Sequence, residues 1–171
     1  AKGQISTVDE AAFDVGENLA ITPGSVVFEN ELIQLIQYRP ATPRVFERPL
    51  LMVPPCINKF YILDLQPETS LIRYAVEQGH TVFVVSWRNP GPALGHLGWN
   101  DYIEQGPLTA IEVVRAISGQ KLINCLGFCV GGTILSTALA VLAARGERVA
   151  ASLTLLATLL EFSDTGEIGS F

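Results

Sequence analysis

The segment "LINCLGFCVGGTILS", residues 122–136, decides how the chain folds. Together with Lys121, its first half is a short apolar run of the kind that forms a strand buried on both faces. From Val130 onward the apolar residues follow helical spacing as far as Arg145, and Gly146 supplies a stop. Cys129 stands at the joint, with Gly127 two residues before it and Gly131 two residues after. That is the G-x-nucleophile-x-G pattern of a nucleophile elbow, a sharp turn from strand to helix that lifts one side chain clear of the sheet. Side chains on the two flanking glycines would collide as the chain reverses, so both positions stay bare.

Working outward, "PLLMVPP" at 49–55, "TVFVVSW" at 81–87 and the run at 152–157 read as further buried strands. Helical patterns at 68–78, 107–118 and 130–145 end at Gly79, Gly119 and Gly146, each suited to a left-handed C-terminal position. Upstream, the β-rich runs 26–29 and 32–38 flank Asn30-Glu31 and read as an antiparallel hairpin. Alternating strands and helices of this length require crossover connections and a parallel sheet covered on both faces. The predicted class is therefore α/β, hydrolase-like, with a mostly parallel sheet. Residues 1–24 read as a lead-in, and 25–171 as one partial catalytic domain. Both ends read as cuts in a longer chain.

A content of 49% hydrophobic residues over 171 positions supports one sizeable core and excludes a disordered segment. The net charge of −6 and the lack of a Lys/Arg cluster argue against a nucleic-acid surface. No apolar run approaches the roughly 18 to 20 residues needed to span a bilayer. Three cysteines, an odd number, point to a reducing compartment, with the cytoplasm as the expected location.

Cys129 is the predicted nucleophile. The N-terminus of the following helix favours its thiolate, and the Val130 amide points toward any developing oxyanion. A second oxyanion donor is expected from the loop "VPPCINKFY"; the amide of Ile57 is the first choice and that of Cys56 the second, since Pro54 and Pro55 have no N–H. A dinucleotide-binding turn is the weaker reading, since "GFCVGG" lacks G-x-G-x-x-G spacing and comes late in the chain. No histidine follows Cys129. His80 precedes a strand at the end away from the active face and reads as structural, His96 as a loop residue, and Asp164 as a polar loop residue. Cys125 reads as a buried strand thiol and Cys56 as a packing residue near the site, so no metal shell and no cofactor are expected. Trp87, Arg88 and Trp99 lie on the active face, where aromatic side chains serve packing as often as they wall a substrate.

The stretches "PLLMVPPCINKFYILDLQPETSLIRYAVEQGHTVFVVSWRNP" and "LGFCVGGTILSTALAVLAARGE" closely resemble the polyhydroxyalkanoate synthases of the class I type. The resemblance covers nearly the whole chain. It implies an α/β-hydrolase-like acyltransferase that polymerises (R)-3-hydroxyacyl-CoA, typically 3-hydroxybutyryl-CoA, into a storage polyester with release of CoA. It makes Cys129 the residue that carries the acyl chain, and it places the family's catalytic Asp and His beyond Phe171. It further implies a homodimer in the longer protein and a growing polyester chain and granule surface as partners; the sequence does not assign the CoA-binding residues, for which Arg88 and Lys59 are the available cations. The competing expectations are a cysteine hydrolase of the dienelactone-hydrolase kind and a catalytically silent piece whose open parallel edge strand promotes aggregation.

Overall fold

The computed structural model describes residues 12–164; residues 1–11 of the expected lead-in and 165–171 of the expected domain lie outside them. Six strands form one sheet: β1 (Gly24–Glu29), β2 (Ile33–Tyr38), β3 (Leu50–Val53), β4 (Val82–Trp87), β5 (Ile123–Phe128) and β6 (Ala150–Leu156). Their spatial order is β1-β2-β4-β3-β5-β6. The hairpin β1–β2 is antiparallel, and β2 runs antiparallel to β4. The remaining pairs, β3 with β4, β3 with β5 and β5 with β6, are parallel. Asn30 closes the hairpin because its side-chain oxygen accepts from the amides of Leu32 and Ile33, at 2.9 and 2.8 Å. The expected α/β class thus holds, with the parallel part built as the alternation of elements requires.

Period-two alternation splits the apolar residues of the central strands between two cores. Leu51, Val53, Phe83, Val85, Ile123 and Cys125 face one side, where they pack with residues of α3 (Thr109–Ser118) and α4 (Val130–Ala144). Met52, Val82, Val84 and Leu126 face the other side and meet Ile72, Ala75 and Val76 of α1 (Leu71–Glu77). The connection from β3 goes by α1 to β4 on one flank, and from β4 by α3 back across β3 to β5 on the other. The strand order therefore reverses at β3, and the crevice beyond the carboxyl ends of β3 and β5 is the switch point where open α/β sheets bind ligands.

Several boundaries differ from the sequence reading, and β1 begins at Gly24, two residues ahead of the expected run 26–29 and inside the expected lead-in. The helix expected over 68–78 begins at Leu71, because Pro67 starts a separate short turn and the Ser70 hydroxyl caps the helix by accepting from the Arg73 amide at 2.9 Å. The helix expected over 107–118 is preceded by α2 (Trp99–Ile103) and a widened turn over Glu104–Leu108. Pro107 lacks an N–H there and Gly106 leaves helical geometry (φ −88°, ψ −108°), so the chain kinks between the two helices. The last strand starts two residues earlier than expected, at Ala150. The glycine stops behave as read: Gly119 and Gly146 take φ of 70° and 79° after α3 and α4.

Candidate active site

Cys129 sits between the end of β5 and the start of α4 with φ 52° and ψ −130°, a conformation that costs a residue with a Cβ roughly 1–3 kcal/mol. The surroundings hold it there. Its amide donates to the carbonyl of Leu156 at the end of β6, 2.9 Å away, and its own carbonyl accepts from the Gly132 amide at 2.9 Å. A strained backbone pinned on both sides by hydrogen bonds presents a half-buried thiol at the first turn of a 15-residue helix.

The three nearby glycines are needed for separate reasons. A Cβ on Gly127 would lie 2.3 Å from the Cα of Gly132, and one on Gly131 would lie 2.3 Å from the carbonyl oxygen of Val53 and 2.4 Å from that of Pro54. These are backbone atoms that cannot swing aside. Gly132 carries a constraint the sequence reading did not assign: its Cβ would strike the Thr158 hydroxyl at 2.1 Å. The only signal in the sequence was the doubled glycine, since Thr158 arrives from the segment beyond β6.

Next to the elbow, β3 runs out at Val53, which is in register with Gly127. Beyond it, residues 55–58 form a tight turn in which the Asn58 amide donates to the Pro55 carbonyl at 3.2 Å. Cys56 and Ile57 occupy the centre of that turn, and among the described residues the Ile57 amide has no backbone acceptor. The Val130 amide heads α4, where no intrahelical acceptor exists. Two prolines in succession limit how far this loop can relax. The Ile57 side chain is 80% exposed.

The thiols differ in environment. Burial pushes Cys125 up to about 12, so it stays protonated at working pH. Cys56 is also raised, first by burial, against a lowering hydrogen bond from its own backbone and with a smaller rise from the charge of Cys129. Tyr102 is raised, first by burial and then by Cys56, and its ring stacks on Trp87. Among the described residues no group of three or more His, Cys, Asp or Glu side chains could hold a metal ion, and no helix is long and apolar enough to cross a membrane.

The other singled-out residues divide by position. His80 lies before β4 at the opposite end of the sheet, 4.9 Å from the Phe46 ring, away from Cys129. His96, Lys59 and Asp164 are exposed loop residues, and Trp99 is 48% exposed at the start of α2. Arg88 is exposed, with its guanidinium donating to the Glu31 carbonyl at 3.4 Å. Trp87, by contrast, is buried, and its indole N–H donates to the Pro54 carbonyl at 2.8 Å.

This geometry agrees with the sequence comparisons. Residues 49–169, containing β3, the 55–58 turn and the elbow, match the alpha/beta hydrolase fold. The chain belongs to that family. Residues 1–75 match the family described as poly-beta-hydroxybutyrate polymerase (PhaC) N-terminus. Over 170 residues the chain is 67% identical to the poly(3-hydroxyalkanoate) polymerase subunit PhaC of Cupriavidus necator, covering 99% of this chain and 29% of that protein. It is 43% identical over 169 residues to poly(3-hydroxyalkanoate) polymerase 1 of Ectopseudomonas oleovorans, covering 99% and 30%. The chain therefore spans less than a third of these relatives, and the resemblance to the polyhydroxyalkanoate synthases read from its motifs stands. A solved alpha/beta hydrolase enzyme from a sediment metagenome, MGS-MChE2, superposes with a TM-score of 0.54 at 13% identity over 79% of this chain and 52% of that one, a likeness of fold alone.

Proposed function

We propose that this chain supplies the nucleophile and the oxyanion pocket of a polyester synthase that polymerises (R)-3-hydroxyacyl-CoA. The observation that carries the reading is Cys129 held at positive φ at the head of α4, with the Ile57 turn beside it. The Cys129 thiolate attacks the thioester carbonyl, negative charge builds on the carbonyl oxygen between the Val130 and Ile57 amides, and the CoA thiolate leaves. One thioester replaces another, so the acyl group keeps its activation. The 3-hydroxyl of a second hydroxyacyl unit then attacks the Cys129 thioester; its proton passes to a base, an oxygen ester forms and the thiolate is regenerated. His80 is at the far end of the sheet and His96 is exposed in a loop, and in this reading the base and its acid partner come from outside the 171 residues. The same reading makes the growing polyester, its granule surface and a second copy of the protein the expected partners.

The test uses the full-length polymerase carrying this segment with 3-hydroxybutyryl-CoA. Intact-mass analysis after brief mixing should find an acyl adduct on Cys129, Cys129→Ala should abolish both adduct and polymer, and CoA release should be matched by polyester. Release of free hydroxy acid in place of polymer would assign a cysteine hydrolase on the same elbow and reject the synthase reading.

A further inference from the structure

The side chain of Trp87 is fixed on three sides. Its N–H reaches across to the Pro54 carbonyl at 2.8 Å in a buried hydrogen bond. Its ring stacks on Tyr102, with centroids 5.6 Å apart and planes at 28°. Gly106 lies flat against its edge, since a Cβ there would come within 2.5 Å of the indole Cη2. The kinked turn that brings Gly106 into place is itself anchored by the Asn30 side chain, which donates to the Gln105 carbonyl at 2.8 Å. Nothing about packing alone requires an indole whose one polar atom is spent on a carbonyl 33 positions away in the chain. That carbonyl also bounds the space left open by Gly131, 2.4 Å from where its Cβ would be. The Pro54 peptide is therefore caught between the indole N–H on one side and the first turn of α4 on the other, one residue before the 55–58 turn.

We infer that Trp87 is a positioning residue for acyl transfer: its indole N–H holds the Pro54 peptide so that the Ile57 amide stays aimed at the oxyanion formed on the Cys129 acyl group. Trp87 itself does not touch substrate. The inference rests on the nucleophile and oxyanion roles proposed above, and it predicts a loss confined to steps that build negative charge on a carbonyl oxygen. Alkylation of Cys129 by iodoacetamide is a displacement at saturated carbon and builds no oxyanion, so it reports the thiol's placement alone. In the full-length polymerase, replacing Trp87 with 3-benzothienylalanine keeps the ring shape and the Tyr102 stack but removes the N–H; Trp87→Phe is the genetically simpler companion. Both should lower kcat with 3-hydroxybutyryl-CoA about tenfold, with KM and the rate of Cys129 alkylation changed by less than about twofold. An unchanged kcat in the benzothienyl variant overturns the inference, as does alkylation slowed in proportion to turnover. Turnover surviving in Cys129→Ala is a separate result, which rejects the nucleophile assignment whatever Trp87 does.

Discussion

Gly131→Ala tests the close approach of α4 to the end of β3. The added Cβ would lie 2.3 Å from the Val53 oxygen, 2.4 Å from the Pro54 oxygen and 2.6 Å from the Pro54 carbonyl carbon. Ordinary contact is about 3.5 Å, so the methyl is about 1 Å too close to all three. None of these atoms can yield alone: Val53 is in register with Gly127 in the sheet, and Pro54 is held by the Trp87 indole. Relief must come from moving the head of α4 outward. Overpacking of this kind sits at the upper end of the usual range, about 3 kcal/mol, and alanine recovers about 1 kcal/mol of helix propensity, for a net loss of about 2 kcal/mol. A shift of about 1 Å in Cys129 relative to the Ile57 turn should cost turnover about 100-fold. Urea denaturation and CoA-release kinetics on the full-length polymerase read the two effects. Gly119→Ala is the control, because it has φ 70° but nothing within 4 Å of its Cβ. It should lose about 1 kcal/mol and keep its activity. A Gly131→Ala variant within about 0.5 kcal/mol of the parent and fully active would refute the reasoning.

Cys129→Gly should be more stable than Cys129→Ala by about 1 kcal/mol, because only glycine accepts φ 52°, ψ −130° without strain; equal urea midpoints would show that the elbow stores no backbone energy. Raised to about 12 in the fold against about 9 in the unfolded chain, Cys125 stays protonated where the unfolded state has lost its proton. Stability therefore falls as pH rises from about 9 toward about 12, by up to about 1.4 kcal/mol per unit, and Cys125→Ala should flatten that slope in urea titrations between pH 8 and about 10.5. Asp64, 2% exposed, accepts from the Thr22 hydroxyl at 2.6 Å and from the Ser70 hydroxyl. Asp64→Ala leaves the Thr22 hydroxyl without its acceptor and the Ser70 hydroxyl with only the Leu63 carbonyl, 3.5 Å away, and should cost about 2 kcal/mol. It should also speed proteolysis near residue 22, and protease resistance equal to the parent's would contradict that role.

The elbow was legible because its requirement is local: two glycines at fixed offsets, a strand before and a helix after, all within 25 residues of sequence. The Ile57 turn was legible for a related reason, since two prolines remove donors and leave few amides to choose from. What escaped depends on partners distant in the chain. Strand parity could place Trp87 on a face, but not its N–H on a carbonyl brought alongside by sheet pairing. The constraint on Gly132 comes from Thr158, 26 positions on, which folds back over it. α2 is hidden because its five residues are too few to show a helical period, and its start rests on Gly98, whose amide donates to Asp101 at 2.7 Å. The start of α1 was misplaced because Pro67 and Ser70 both suit a helix N-terminus, and only the Ser70 hydroxyl, bonded to the Arg73 amide, caps this one.

The end of β3 carries more constraints than its four residues suggest. Val53 is in register with Gly127 of β5, its oxygen and that of Pro54 receive the bare Cα of Gly131, and the Pro54 oxygen also accepts from Trp87 of β4. Elements from three strands and one helix therefore converge on two successive peptides, Val53–Pro54 and Pro54–Pro55, immediately before the proposed oxyanion turn. The two groups that the proposed mechanism brings to one carbonyl, a thiol after β5 and an amide after β3, gain nothing from being individually rigid if the two loops drift relative to each other. Joining them through close backbone contact, which glycine alone permits, fixes their separation without spending a side chain inside the pocket.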